Sequence, residues 1–366
     1  MKDYYKGIDG LRAFAVLAVM FSHAQVPGIK GGWIGVDIFF VISGFLITTI
    51  LLKEYDVRGA ISIKNFYMRR ILRLIPALVL LILFLIVYAW LFTNKKILLS
   101  VLYESFITMV YATNWILAHG APRGYLAHTW SLSVEEQFYI IWPLLLSLFL
   151  RIFKKPQRLM LFLLFLIGLV VWHRVSLFEH GASYRRLYLM LDTRADCLLI
   201  GCLLAVALFH EMIPPVEKLR NWMKIPLGLS VLFCVYMLHF DHRSQSVQFY
   251  GYFFIAIASA IFLLHLVAIP NSLIGKILSD ARLRWIGKIS YGLYLWHWPV
   301  YKILQQKFHS EWYILASVGV ALTFACASIS YYFVEVQFLK KKRRFSTTAK
   351  TEQHIEMIPQ KVVLES

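Results

Sequence analysis

The chain predicts an all-α polytopic membrane protein, with about ten transmembrane helices plus one re-entrant or interfacial helix. Three observations carry that expectation. Of 366 residues, 59% are hydrophobic and only 16% charged, with a mean hydropathy of +0.64, which is too apolar for a soluble globular protein. Apolar runs of spanning length recur from end to end. The Lys and Arg behind a net charge of +18 gather in short loops between those runs, as membrane orientation demands. That clustering is unlike a nucleic-acid-binding face, so no DNA or RNA partner is implied. Cys197, Cys202, Cys234 and Cys326 sit in apolar runs without Cys-x-x-Cys or Cys/His spacing, so they read as small buried hydrophobes, with neither disulfide framework nor metal site.

In order, the apolar runs lie near 8–26, 33–53, 74–92, 97–118, 133–153, 157–174, 188–210, 225–240, 249–268, 288–306 and 312–336. The first lacks a clean signal-peptide core and cleavage site and reads as a retained signal anchor. Positive charge concentrates in the 53–73 loop (Lys53, Arg58, Lys64, Arg69, Arg70, Arg73), in 151–158, in 276–288 and from Lys340 to Arg344. All four should be cytoplasmic. Three spanning runs between the first two loops would put them on opposite sides, so one run must not cross. The 97–118 run, carrying Glu104, Thr108, Thr113 and Asn114, is the weakest and becomes the re-entrant or interfacial helix. Both termini are then cytoplasmic. A transmembrane domain of residues 1–338 is followed by a basic, then polar cytoplasmic tail, 339–366, expected to be disordered and to lie on the anionic inner leaflet.

Ionisable residues inside apolar runs are costly in hydrocarbon and mark function by default. Arg12 and His23 share the first helix, eleven positions apart, hence on one face about 16 Å apart along the axis. His23, toward the outer half, suits abstraction of a hydroxyl proton near neutral pH. Asp37 opens the second helix and is placed to orient or charge-balance His23, while Ser43 and Gly44 permit close helix approach. Asn65-Phe66-Tyr67-Met68-Arg69-Arg70-Ile71-Leu72-Arg73 enters the third helix from the cytoplasm. Its three-residue step puts Arg70 and Arg73 on one face, where guanidinium forks suit phosphate oxygens, although cytoplasmic anchoring explains such arginines equally well. His128-Thr129-Trp130-Ser131-Leu132-Ser133-Val134-Glu135-Glu136-Gln137-Phe138-Tyr139 reads partly as a capping box, with Ser131 or Ser133 as cap and Glu135 and Glu136 in the first turn. Two carboxylates beside His, Trp and Tyr also resemble a sugar-binding, proton-handling site. For Arg194 and Asp196, and for His297 in Tyr294-Leu295-Trp296-His297-Trp298-Pro299, pairing within the bundle stands slightly ahead of direct chemistry.

The ordered set of these strings resembles the acyltransferase-3 family of bacterial membrane acyltransferases, which includes O-antigen and other polysaccharide O-acetyltransferases. The resemblance runs from about Tyr5 to Phe338 and rests on Gly7-Ile8-Asp9-Gly10-Leu11-Arg12 leading to His23, Gly35-Val36-Asp37-Ile38-Phe39-Phe40, Arg70-x-x-Arg73, the Trp130 to Tyr139 string and Tyr294 to Pro299. It implies acetyl-CoA, or another acyl-CoA, as cytoplasmic donor and a carbohydrate hydroxyl across the bacterial inner membrane as acceptor, without a metal. Longer members carry an extra span and an SGNH-type hydrolase-like domain, so these 366 residues point to the stand-alone branch. The expected catalytic group is His23 with Asp37, Glu136 and Glu135. Arg12, Arg70, Arg73 and Arg69 would hold the donor, and His128, Trp130, Ser131, Tyr139, Trp296 and His297 the acceptor. Direct transfer and an acyl-histidine relay both remain open, as do O-antigen, another envelope glycan or a small secreted macrolide-like glycoside as acceptor. A proton-coupled transporter is the alternative from another class, although no internal repeat accompanies it; a glycan-binding scaffold would need no His23.

Overall fold

Every expected apolar run appears as helix in the computed structural model, which describes residues 5–308, 311–342 and Phe345. The first three helices are α1 (Lys6–His23), α2 (Trp33–Arg58) and α3 (Ile63–Phe92). The 97–118 run is broken into α4 (Lys95–Met109) and α5 (Thr113–Ala118), with Tyr111 between them at φ 54°. At 1.5 Å per residue α4 reaches only about 22 Å, short of a ~30 Å hydrocarbon core. A 3₁₀ turn at Ala127–Thr129 leads into α6 (Trp130–Ile152), followed by α7 (Pro156–Glu179), α8 (Tyr184–Leu189) and α9 (Leu191–Phe209). Then come α10 (Val216–Trp222), α11 (Lys224–Met237), α12 (Tyr252–Ala268), α13 (Leu273–Leu278), α14 (Ala281–Lys288) and α15 (Ser290–Phe308). The last stretch joins α16 (Trp312–Ile314), α17 (Val320–Ile329) and α18 (Val336–Lys342) through two π-helical turns.

Six helical stretches in the described chain are long and apolar enough to cross a bilayer. Helices α1, α9 and α15 are 18, 19 and 19 residues long but carry the ionisable side chains discussed below. Beyond Lys342, and apart from Phe345, the expected tail lies outside the described residues.

The bundle closes around α1, α2 and α9 because glycines let their backbones meet. A Cβ on Gly44 would lie 2.0 Å from the Leu198 carbonyl oxygen, and one on Gly201 would lie 2.1 Å from that of Val41. This is close small-residue packing, which serves where hydrophobic driving force between helices is weak. The Gly44 half of the expected approach role is occupied this way. Ser43 instead donates to Glu135 at 2.8 Å. Replacing Gly201 with Leu should lower the yield and melting temperature of detergent-extracted protein, measured by thermal size-exclusion chromatography, since the obstruction is backbone that cannot rotate away.

Two buried ion pairs tie α2 and α7 to α9. Arg194 of α9 pairs with Asp37 of α2, both fully buried, and its guanidinium stacks over Tyr252 at 3.8 Å. Arg174 of α7 reaches Asp196 of α9 at 2.8 Å and the Thr193 carbonyl at 2.7 Å. A charge in a bundle interior is tolerated only with such partners.

Candidate active site

His23 ends α1, and its imidazole meets His297 of α15, with Nδ1 2.9 Å from the His297 Nε2 and the two rings nearly parallel. The other nitrogen of His297, Nδ1, lies 2.6 Å from the Tyr294 carbonyl oxygen. A carbonyl only accepts, so His297 carries its proton on Nδ1 and turns a lone pair toward His23. His23 must then donate from Nδ1, which leaves its Nε2 as a bare lone pair. Trp298 packs edge-on against His23, with ring centroids 5.0 Å apart. His23 lines a cavity of about 300 Å³. Trp33, Trp130, Tyr188 and Trp298 supply aromatic walls, and His128 shares the lining. His128 is 3% exposed and neither of its ring nitrogens has a hydrogen-bond partner in the described structure.

A second cavity, of about 150 Å³, lies toward the other end of the bundle and is lined by Arg12, Arg70, Arg73, Ser43, Glu135 and Tyr139 among others. Arg70 bonds Glu136 at 2.6 Å and stacks over the Tyr139 ring at 3.8 Å. Arg12 is 3.7 Å from Asp9. Among the described residues Arg73 makes no ion pair and no hydrogen bond. It is the guanidinium in this cavity free to take an incoming anion.

The two cavities share two lining residues, Val36 and Tyr294. The Tyr294 hydroxyl donates to the His128 carbonyl at 2.9 Å and lies 2.6 Å from the Ser131 hydroxyl. Because its proton is committed to the carbonyl, Ser131 donates to it. One phenol ring thus stands between the arginine cavity and the histidine cavity.

Several expected placements are corrected by this geometry. Asp37 does not face His23: it is taken by Arg194, and an imidazole and a backbone carbonyl occupy the orienting position instead. Glu135 and Glu136 do not join His23 either. The helix already begins at Trp130, so these carboxylates lie more than a turn deeper, with Ser43 and Arg70. For the same reason the expected capping box is absent: α6 has no side-chain cap and no acidic residue in its first turn. Tyr139 and Ser131 line the arginine cavity rather than the histidine cavity. Arg69 points to Glu54 at 2.8 Å and to the Phe345 carbonyl at 2.7 Å, away from Arg70 and Arg73. Trp296 is buried edge-on against Phe84, with centroids 5.1 Å apart, and lines neither cavity. His128 and Trp130 do lie beside His23, and His297 stands behind it.

Tyr294, at the head of the Tyr294 to Pro299 run, is not legible as a site residue from the sequence, because a tyrosine in an apolar run carries no signal of what it separates. Sequence reasoning missed Arg174, whose position next to His173 at the end of an apolar run was the available clue. The loop residues Lys30, Arg123, His242 and Arg243 around the histidine cavity were missed as well. His242 lies in the loop after α11, where burial, with Arg123 and Arg243 nearby, holds its imidazole below the usual value against the pull of Asp241. Among the described residues no group of His, Cys, Asp and Glu has the arrangement of a metal site.

A family profile described as an acyltransferase domain matches residues 5–333. A peptidoglycan O-acetyltransferase of Listeria monocytogenes is 37% identical over 357 residues, covering 93% of this chain and 56% of that protein. A putative peptidoglycan O-acetyltransferase of Bacillus subtilis is 37% identical over 351 residues, 91% of this chain and 54% of its own length. A putative O-acetyltransferase of Staphylococcus aureus is 33% identical over 366 residues, 92% of this chain and 58% of that protein. The chain therefore spans little more than half the length of these curated relatives. No solved structure matches it.

Proposed function

Because the chain belongs to the acyltransferase-3 family, we propose that it is a membrane O-acetyltransferase that moves an acetyl group from acetyl-CoA to a hydroxyl of a cell-envelope glycan. The observation that carries this reading is the pair of cavities meeting at Tyr294, one lined with arginine and the other presenting the bare Nε2 of His23. Arg73, with Arg12 and Arg70, binds coenzyme A phosphates from the cytoplasmic end, as guanidinium forks do. The acyl end passes between Val36 and Tyr294 toward His23. There His23 Nε2 takes the acceptor hydroxyl proton, the oxygen attacks the thioester carbonyl, and the carbon–sulfur bond breaks. The proton returns to the departing thiolate. His297 and the Tyr294 carbonyl hold the imidazole in the reactive tautomer and stabilise its cation. That the Listeria and Bacillus relatives are named as peptidoglycan O-acetyltransferases, the second putatively, favours peptidoglycan over O-antigen as the acceptor.

The test is transfer of labelled acetyl from acetyl-CoA by membranes containing the protein, scored as alkali-labile ester on isolated cell-wall glycan. Label appearing there supports the reading; its absence with cell-wall, O-antigen and small glycoside acceptors alike refutes it. In the same assay Arg73→Ala should raise the apparent KM for acetyl-CoA by about tenfold or more, since a charge-assisted hydrogen bond contributes ~1.5–3 kcal/mol. An unchanged donor KM would make Arg73 a topology anchor only.

A further inference from the structure

The histidine cavity is ringed by positive charge at the end of the bundle away from the basic 53–73 loop. Lys30, from the α1–α2 loop, Arg123, from the α5–α6 loop, and Arg243, from the loop after α11, all line it. Asp241 is the acidic residue among that lining, and it is engaged locally, 3.3 Å from His242 and 3.9 Å from Arg243. The side chains of Lys30 and Arg123 have no ion pair or hydrogen bond among the described residues. Their backbones, by contrast, are pinned. The Lys30 and Gly31 amides donate to the Leu238 carbonyl at 2.9 and 2.8 Å. Lys302 donates to the Arg123 carbonyl, and Trp298 Nε1 donates to that of Gly124 at 2.9 Å. Two fixed loops thus present two solvent-exposed cations without side-chain partners to a cavity that is also lined by aromatic rings and by the His23 base.

Basic residues are disfavoured in loops on the translocated side of a membrane, so their convergence on one cavity calls for a ligand that uses them. A cavity of about 300 Å³ is at the small end for a ligand site and fits one sugar unit better than a long oligomer. We infer that this cavity recognises an anionic sugar, a glycan unit carrying a carboxylate or phosphate that Arg123 and Lys30 hold while a hydroxyl of the same unit meets His23. This rests on the proposed placement of the acceptor on the His23 side. It adds that charge selects the acceptor, with the aromatic walls gripping the ring face.

The experiment is equilibrium binding to the full chain in lipid nanodiscs, which does not depend on turnover. Three fluorescent probes are compared: a muramyl disaccharide with its free lactyl carboxylate, the same disaccharide as the carboxamide, and the disaccharide bearing a phosphomonoester instead. One or both anionic probes should bind at least about tenfold tighter than the carboxamide, and the stronger of them names the anion. The preference should shrink severalfold in Arg123→Gln and in Lys30→Gln, while coenzyme A binding is unchanged. Equal binding of all three probes to the wild-type chain would overturn the inference. So would a loss of coenzyme A binding in the variants, which would assign these cations to the donor. Charge-selective binding without acetyl transfer would leave this inference standing and remove the proposed reaction; transfer without charge selection would do the reverse.

Discussion

Membranes carrying His23→Ala are expected to transfer acetyl about 10²–10⁴-fold more slowly than wild type, the usual worth of a positioned general base, with folded protein undiminished. The second half of that expectation follows from the position of the side chain. His23 is the last residue of α1 and faces a cavity, so its loss removes one hydrogen bond to His297 and the ring contacts with His297 and Trp298, but leaves the helix packing below it in place. The first half follows from the tautomer chain. Tyr294 carbonyl fixes His297, His297 fixes His23, and only the His23 Nε2 is left to take a proton. His297→Ala should then lower kcat while leaving the KM for both substrates close to wild type, because the residue behind the base orients it without touching either substrate. Labelled-acetyl kinetics with both variants check this directly. A His23→Ala protein at full rate would move the chemistry elsewhere, and full-rate transport with no transfer in any variant would favour the transporter alternative.

Asp37→Ala should cost the protein its fold rather than its chemistry. Removing one partner of a buried ion pair leaves the other charge desolvated, a penalty of about 3–5 kcal/mol, and Arg194 is fully buried with no second carboxylate bonded to it among the described residues. Thermal size-exclusion profiles should show a large loss of monodisperse protein for Asp37→Ala and for Arg194→Ala. The double variant Asp37→Leu with Arg194→Met should recover much of that loss, since two apolar side chains can replace a buried pair. Recovery of fold together with activity in the double variant would establish that Asp37 acts by holding α2 to α9. Well-folded Asp37→Ala protein lacking activity would return the carboxylate to catalysis.

These two residues also show what a sequence carries and what it withholds. The apolar runs predict the helices well because each is a local, continuous signal set by the thickness of the hydrocarbon. That the 97–118 run is no simple span is legible from its polar residues, but its break at Tyr111 is not; there Thr108 and Thr113 bond each other and Thr129 of the later 3₁₀ turn. Partnership is not local. Asp37 meets Arg194 across 157 positions and His23 meets His297 across 274, and no periodicity records which helices touch. The depth error for Glu135 and Glu136 has another cause: the helix starts at Trp130 rather than beyond Ser131, which carries both carboxylates away from His23 and into the arginine cavity. Residue types were sufficient to list the chemistry, and helix packing decided which groups share a chamber.

The single tyrosine between the chambers bears on how such a bundle keeps a membrane tight. A continuous wet path from one end of the protein to the other would leak protons and ions. Here the two water-accessible spaces are separated by Val36 and by a phenol latched to Ser131 and the His128 carbonyl. On the proposed reaction, only the thioester end of the pantetheine arm needs to pass this septum, and the charged nucleotide never does. The bond energy of a thioester made on one side is thereby delivered to a compartment that has no activated donor of its own, without opening a channel between the two.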